Sequence, residues 1–541
     1  MKPTKLFHCS IKVAAALLLT VMLAGLTACS KEDKPVNNVS AEKIVGKWYA
    51  ENNTPGSINA DGVSIDYYKL VQYADFRADG TGFWSIIFVD KDYNAIDIPD
   101  FFCGGTFNYT INGNTITITM ASAGLPILKD SWDVTYKDGH ISVDAPGIPH
   151  SLDPIIYDKD FYCQRWLQQL GFGYSKPFGL DIGQLTEDFT IYGEMAVTGT
   201  LTKNIKLYIA DGGAVALNFC NISPVENGED HFAGITCLGS AEIHMTGGDV
   251  IVRGVGGCPG IFVPEGSTVR IGVEDRTWNM YVYGSEGAAA IGSGSSDNPE
   301  YAKAGNIVVY GGVLMAFGGN NAAAIGSGKG GSCGSILISP VIVGALLNAE
   351  GGSNGPGLGA GTQGTCGPIT LTGPDAVYST AGGYGAPAIG AAIKGKCGVI
   401  TLDVPRLEPK AGTYAPAIGA ANDDGTFCDT IKFVGGRVYC HPGEYATTAL
   451  GEIFNAMGKC AGIYVGGNLQ ELLVKNDNAR NPSEIMHASS YSSDTEERTK
   501  YFNNLFDCDI RKSTSINVDG MQFWLNGPKK SINIGYDCTE R

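Results

Sequence analysis

The chain has 541 residues, of which 75 are glycine and only 17% are charged, with a formal net charge of −17. The glycines follow no three-residue period, which excludes collagen, and a hydrophobic fraction of 44% excludes an extended disordered chain. No run of Lys and Arg follows Lys12, so nucleic acid is not an expected partner, because phosphate tracking needs clustered positive charge.

Lys2, Lys5 and Lys12 form a basic start, and an apolar run extends from Val13 to Leu26. The run is about fourteen residues long, short of the ~20 that span a bilayer as a helix and suited to a signal-peptide core. It ends in Leu26-Thr27-Ala28-Cys29, which resembles the lipobox of bacterial lipoproteins, where the cysteine is acylated and becomes the mature N-terminus. The resemblance implies a signal peptide over 1–28, a lipid anchor on Cys29 and a linker over 29–40. Ser30-Lys31-Glu32-Asp33 resembles the surface-export tetrapeptide of bacteroidete-type lipoproteins. This implies an outer-membrane protein facing the cell exterior and held by its N-terminal lipid, since two or three acyl chains anchor far more firmly than one. Of the 15 cysteines, removing Cys9 and assigning Cys29 to lipid leaves an odd number, so disulfides do not account for all of them.

Residues 41–150 read as strands separated by polar turns. Phe107 to Ile111 and Thr115 to Thr119 alternate around Asn112-Gly113, a hairpin signal, and Asp79-Gly80 and Asp138-Gly139 mark two more turns. Gly46-Lys47-Trp48 and Phe76-Arg77-Ala78-Asp79-Gly80-Thr81-Gly82 resemble motifs of lipocalin-like domains, which implies a small β-barrel with Trp48 at its base. Phe83, Trp84, Phe101 and Phe102 are then either ligand-lining or core residues. Residues 151–184 read as a connection, with a short helix over Asp160–Leu170 and Cys163 as a candidate partner of Cys103.

Residues 185–475 repeat with a period of about thirty. Ala-Ile-Gly or a close variant places its aliphatic residue at Ile291, Ile325, Leu358, Ile389 and Ile418, and Cys333, Cys366, Cys397, Cys428 and Cys460 recur in phase. Three residues after each cysteine stands a triplet with apolar outer members, such as Ile369-Thr370-Leu371 and Ile431-Lys432-Phe433, the pattern of a strand with one buried face. Ile307-Val308-Val309 and Ile243-His244-Met245 fit the same register, with Ala304 and Ser240 at the cysteine position. A small residue stacked on itself from coil to coil predicts a parallel β-helix, right-handed as such folds usually are, with the cysteines as small buried hydrophobes. No CxxC or His partner accompanies the cysteines, so no metal site and no cofactor are expected. Stretches such as Gly287-Ala288-Ala289-Ala290-Ile291-Gly292-Ser293-Gly294 and Cys333-Gly334-Ser335-Ile336-Leu337-Ile338 resemble Gly-rich adhesin-like or carbohydrate-binding β-helices of bacterial surface proteins. The implied partners are glycans or other cell-surface polymers. Residues 476–541, with Phe523, Trp524 and the candidate pair Cys508 and Cys538, read as a cap on the open end.

The expected architecture is thus all-β: a small lipocalin-like barrel, then a parallel β-helix with a C-terminal cap. For ligand binding the candidates are Tyr384 and Tyr414, each shortly before Pro-Ala-Ile-Gly, and Asn320 and Asn321 at the matching place two coils before Tyr384. The enzymatic alternative is a polysaccharide lyase or glycoside hydrolase of the β-helix type, which needs convergent acids or a base with a cation. Asp423 and Asp424 are the adjacent acidic pair of the later repeats and the candidate catalytic residues, although Asn422-Asp423-Asp424-Gly425 also reads as a polar turn.

Overall fold

The computed structural model describes residues 41–475 except for short stretches, together with 484–487, 515–518, 521–524 and 533–537. The chain divides into two compact units, between Phe178 and Gly179. Among the described residues no helix is long and apolar enough to cross a membrane.

The first unit is an antiparallel sheet of eight strands with a small two-stranded ladder beside it in the chain. The Asn112-Gly113 hairpin forms as its turn chemistry predicts, with Asn112 paired to Thr115 and Gly113 at φ 63°. Trp48, Phe76, Phe107, Ile116, Ile118 and Ile141 fill the core, with Trp84 packed against it. The Trp48 indole N–H donates to the Ile44 carbonyl at 2.7 Å, so the buried ring keeps its polar atom satisfied. The sheet is open: its outermost strands, Asp153–Pro154 and His140–Asp144, share no continuous ladder, and among the described residues an isolated bridge between Ile141 and Leu152 tacks them together. A closed lipocalin-like barrel is therefore not what the strand pairing defines. Phe101 and Phe102 lie outside the described residues.

The expected helix forms over Tyr157–Gln169. Its Trp166 is buried and donates to the Tyr93 carbonyl at 3.0 Å, and Tyr162 and Trp166 pack against the Tyr93 ring. Two ion pairs fix it to the sheet, Lys47–Asp160 at 2.5 Å and Lys159–Glu51 at 3.3 Å. Cys163 on this helix is a free, buried thiol, which overturns its assignment to a disulfide with Cys103. Burial, and then the nearby Asp160 carboxylate, push its pKa well above the usual thiol range.

The second unit is a parallel β-solenoid whose coils feed three sheets, of seventeen, thirteen and five strands in the assigned order. Both sequence ladders become columns of in-register pairs. Ile291, Ile325, Leu358, Ile389, Ile418 and Leu450 stack one on the next in one sheet. Cys333, Cys366, Cys397, Cys428 and Cys460 do so in another. The triplets also align, from Ile307 through Ile336, Ile369, Ile400 and Ile431 to Ile463. Ala304 stands one coil before Cys333, since Lys303 bridges Ser332.

The earlier coils depart from the predicted register. Ile243 pairs with Ile271, which pairs with Val309, so Ala241 and not Ile243 heads the Ile307 column through Val269. The slip is two residues, which leaves the same side chains facing inward and so leaves the hydrophobic pattern unchanged.

The glycine of Ala-Ile-Gly is required by two constraints at once. Gly292, Gly326, Gly359, Gly390 and Gly419 all have φ between 134° and 140°, and a Cβ on any of them would lie within 2.0 Å of a carbonyl oxygen of the next coil. Past residue 475, Asn533–Asp537 adds in parallel to Glu471–Lys475, and Glu484–His487 adds to Thr448–Gly451, so the described tail strands extend two of the solenoid sheets.

Candidate functional site

Each later coil enters its Ala-Ile-Gly strand through a corner that opens on a glycine pressed against the coil before it. A Cβ on Gly352, Gly383, Gly412 or Gly443 would come within 2.0, 1.7, 1.5 or 2.0 Å of the preceding coil's carbonyl oxygen. These corners stack with no room for side chains between them, so the residues that follow are repeated at the strand spacing of about 4.8 Å. They are Asn320-Asn321, Ser353-Asn354, Tyr384-Gly385, Thr413-Tyr414 and Glu444-Tyr445. The structure thus brings the four predicted binding residues to one edge of the solenoid and adds Tyr445 to them.

The edge has a polar end and an aromatic end. Asn320 Nδ2 donates to Glu286 Oε2 at 2.9 Å, and Asn354 Nδ2 donates to Asn321 Oδ1 at 3.4 Å. Asn321 and Asn354 both adopt φ near 60°, the left-handed conformation asparagine tolerates better than most side chains. At the other end Tyr384, Tyr414 and Tyr445 are 57%, 46% and 47% exposed. The Tyr384 and Tyr414 rings meet edge to face at 5.4 Å, and Tyr414 and Tyr445 stack at 5.2 Å with planes 23° apart. A hydrogen bond to the Tyr414 hydroxyl, followed by slight burial, raises the Tyr384 phenol above its usual range, so it stays protonated at neutral pH. The result is a ladder of three mutually packed phenol rings on successive coils, each about half exposed, which offers apolar ring surface beside phenol hydroxyls.

Asp423 and Asp424 occupy the next corner, beyond the Ile418–Ala420 strand that Tyr414 precedes. The Thr426 N–H donates to the Asp423 carbonyl at 3.2 Å, as in an ordinary polar turn. Among the described residues no group of three His, Cys, Asp or Glu side chains lies close enough to share an ion. The cysteine column is buried throughout and its thiols are free. Hydrogen bonding along the column and then burial raise Cys333 and Cys428 above the usual thiol range, whereas hydrogen bonds with Cys366 and Cys428 on either side shift Cys397 down. Cys29, Cys508 and Cys538 lie outside the described residues.

Tyr445 escaped the sequence pattern because its coil reads Tyr445-Ala446-Thr447-Thr448-Ala449-Leu450-Gly451, without Pro-Ala-Ile-Gly. The available signal was spacing alone: Gly443 repeats the corner glycine of Gly412 and Gly383. By fold the protein belongs to the class of parallel β-solenoids, preceded in the chain by an antiparallel sheet unit. No family model, known protein or solved structure matches the chain.

Proposed function

We propose that this is a lipid-anchored surface protein whose solenoid binds glycans through the Tyr384–Tyr414–Tyr445 edge. The observation that carries the reading is the alignment of three half-exposed aromatic rings on three successive coils. Holding such rings in water has no folding benefit as large as their burial would bring, whereas the C–H face of a sugar ring covers them well. Hydroxyls and amides of the same edge supply the hydrogen bonds that orient a sugar. The anchor at Cys29 rests on the lipobox resemblance, and its role is to hold the solenoid at the cell surface.

A glycan array probed with the full mature chain, carrying Cys29→Ser for solubility, tests the reading. Binding to one class of neutral glycan is expected, with loss in the Tyr384→Ala/Tyr414→Ala/Tyr445→Ala variant. Absence of any bound glycan, or binding that the triple substitution leaves intact, would sink it.

A further inference from the structure

Another exposed aromatic pair lies on the early coils, and its backbone is unusual. Phe219, in the strand Ala214–Ile222, is 65% exposed and has φ 47°. A bulky side chain in the left-handed region is an outlier that surrounding structure must enforce. Here a bulge enforces it. Asn218 pairs with Thr198 and Cys220 with Gly199, so Phe219 has no partner on that side, and on the other side the pairing skips from Met245 to Gly247. Bulges of this kind re-aim a side chain, often beside a binding site.

The re-aimed ring is cradled. It lies on the bare backbone of Gly248, where a Cβ would sit 2.2 Å from it, and meets the Trp278 ring edge to face at 6.2 Å. Phe219 and Trp278 border an open cavity of about 390 Å³ whose other walls include Asn221, Asp249 and Ile251, a volume within the range of small-ligand sites. Asp249 is exposed, and its Oδ1 accepts from the Asn279 side-chain and backbone N–H groups at 3.1 and 3.3 Å, which fixes the carboxylate and leaves Oδ2 for a ligand. Asn221 Oδ1 accepts from the Ser223 hydroxyl at 2.5 Å, which turns its amide nitrogen into a donor of set direction. Beside the bulge, the buried Asn218 Oδ1 has no donor among the described residues, a second local cost of this conformation.

We infer that the Phe219 bulge builds a second sugar subsite, taking one neutral pyranose ring. The ring's C–H face lies on one aromatic ring while the other, inclined to it, walls the sugar's edge; one hydroxyl donates to Asp249, and another accepts from Asn221. The carboxylate disfavours uronic or sulfated sugars, and an aromatic corner combined with a fixed acceptor and a fixed donor favours a polyol over an apolar peptide. This inference rests on the glycan reading of the solenoid but shares no residue with the tyrosine edge.

The test titrates the full mature chain with cellohexaose, maltohexaose, mannohexaose and xylohexaose, reading affinity and tryptophan fluorescence. The variants are Phe219→Asn, Trp278→Ala and the tyrosine triple. At least one hexaose is expected to bind, with affinity falling roughly tenfold or more in Phe219→Asn and in Trp278→Ala and persisting in the tyrosine triple. Phe219→Asn should leave the Tm unchanged or raise it, because asparagine accepts the left-handed backbone. A Tm drop as large as that of the core truncation Phe433→Ala would mean the ring serves packing, and would overturn the subsite. Loss of binding only in the tyrosine triple also overturns it while leaving the edge intact. Loss only at Phe219 and Trp278 supports it and assigns that hexaose to the bulge, leaving the edge to be tested by its own array glycan, and failure of every hexaose to bind overturns the subsite.

Discussion

At Gly390, φ is 137° and a Cβ would lie 2.0 Å from the Gly419 carbonyl oxygen, so this position shows how single residues specify the solenoid. Gly390→Ala combines backbone strain with a main-chain clash, and it should destabilise the second unit by at least about 3 kcal/mol in urea unfolding. The cysteines contrast with this. Cys428 is fully buried, but Ala304 stands in the same column one coil before Cys333, so alanine is already accommodated there. Cys428→Ala should cost only about 1–2 kcal/mol by the same measurement, and a cost above about 4 kcal/mol would show that the thiol column has a role beyond filling space. Both columns were legible in the sequence because in-register parallel stacking writes one residue type at one interval. Phe219 was not legible, because a bulge is a break in register and leaves no period behind it. The resemblance at Cys29 has its own check: a palmitate-analogue label should be incorporated by the wild type and lost in Cys29→Ala.

Among the elements, the helix Tyr157–Gln169 shows how packing and charge combine. Trp166 and Tyr162 bury one face against Tyr93, while Lys159 reaches Glu51, which also accepts from Lys69 at 2.7 Å. Lys69 is buried and donates to the Tyr93 hydroxyl at 2.9 Å, so the charge pair has further hydrogen bonding. Burial works against ionising Glu51, but the hydrogen bond from Lys69 and the charges of Lys69 and Lys159 outweigh it and bring its pKa down to about 2. The folded value lies below the unfolded value near 4.5, so this stabilisation is complete above pH 4.5 and is lost as the pH falls from there towards 2. Its size is on the order of 2 kcal/mol for a carboxylate that remains partly exposed. Thermal melts of wild type and Glu51→Gln should therefore converge as the pH falls from 5 to about 2; a constant gap would contradict the assignment. The helix and hairpins could be read from apolar spacing and turn residues. Closure of the sheet could not, since Gly-x-Trp and turn dipeptides set local geometry but not how far the last strand pairs with the first.

Over the whole molecule, the glycines that looked like an excess in the composition become corners and Ala-Ile-Gly strands. The same stacking that buries the coil interior repeats whatever the corners carry along an outer edge. Tyr384 and Tyr414 were visible beforehand because each precedes Pro-Ala-Ile-Gly, whereas Tyr445 required the register of a coil that lacks that motif. Asp423 and Asp424 were visible as an adjacent acidic pair, and the structure places them in a polar turn closed by the Thr426 N–H on the Asp423 carbonyl. The tyrosine edge is therefore the central functional claim. Its most direct test is the dissociation constant of the best array glycan for the wild type and for the Tyr384→Ala/Tyr414→Ala/Tyr445→Ala variant, both confirmed as folded. Three lost stacking contacts predict a weakening of roughly a hundredfold. Equal affinity in the two proteins would contradict the account.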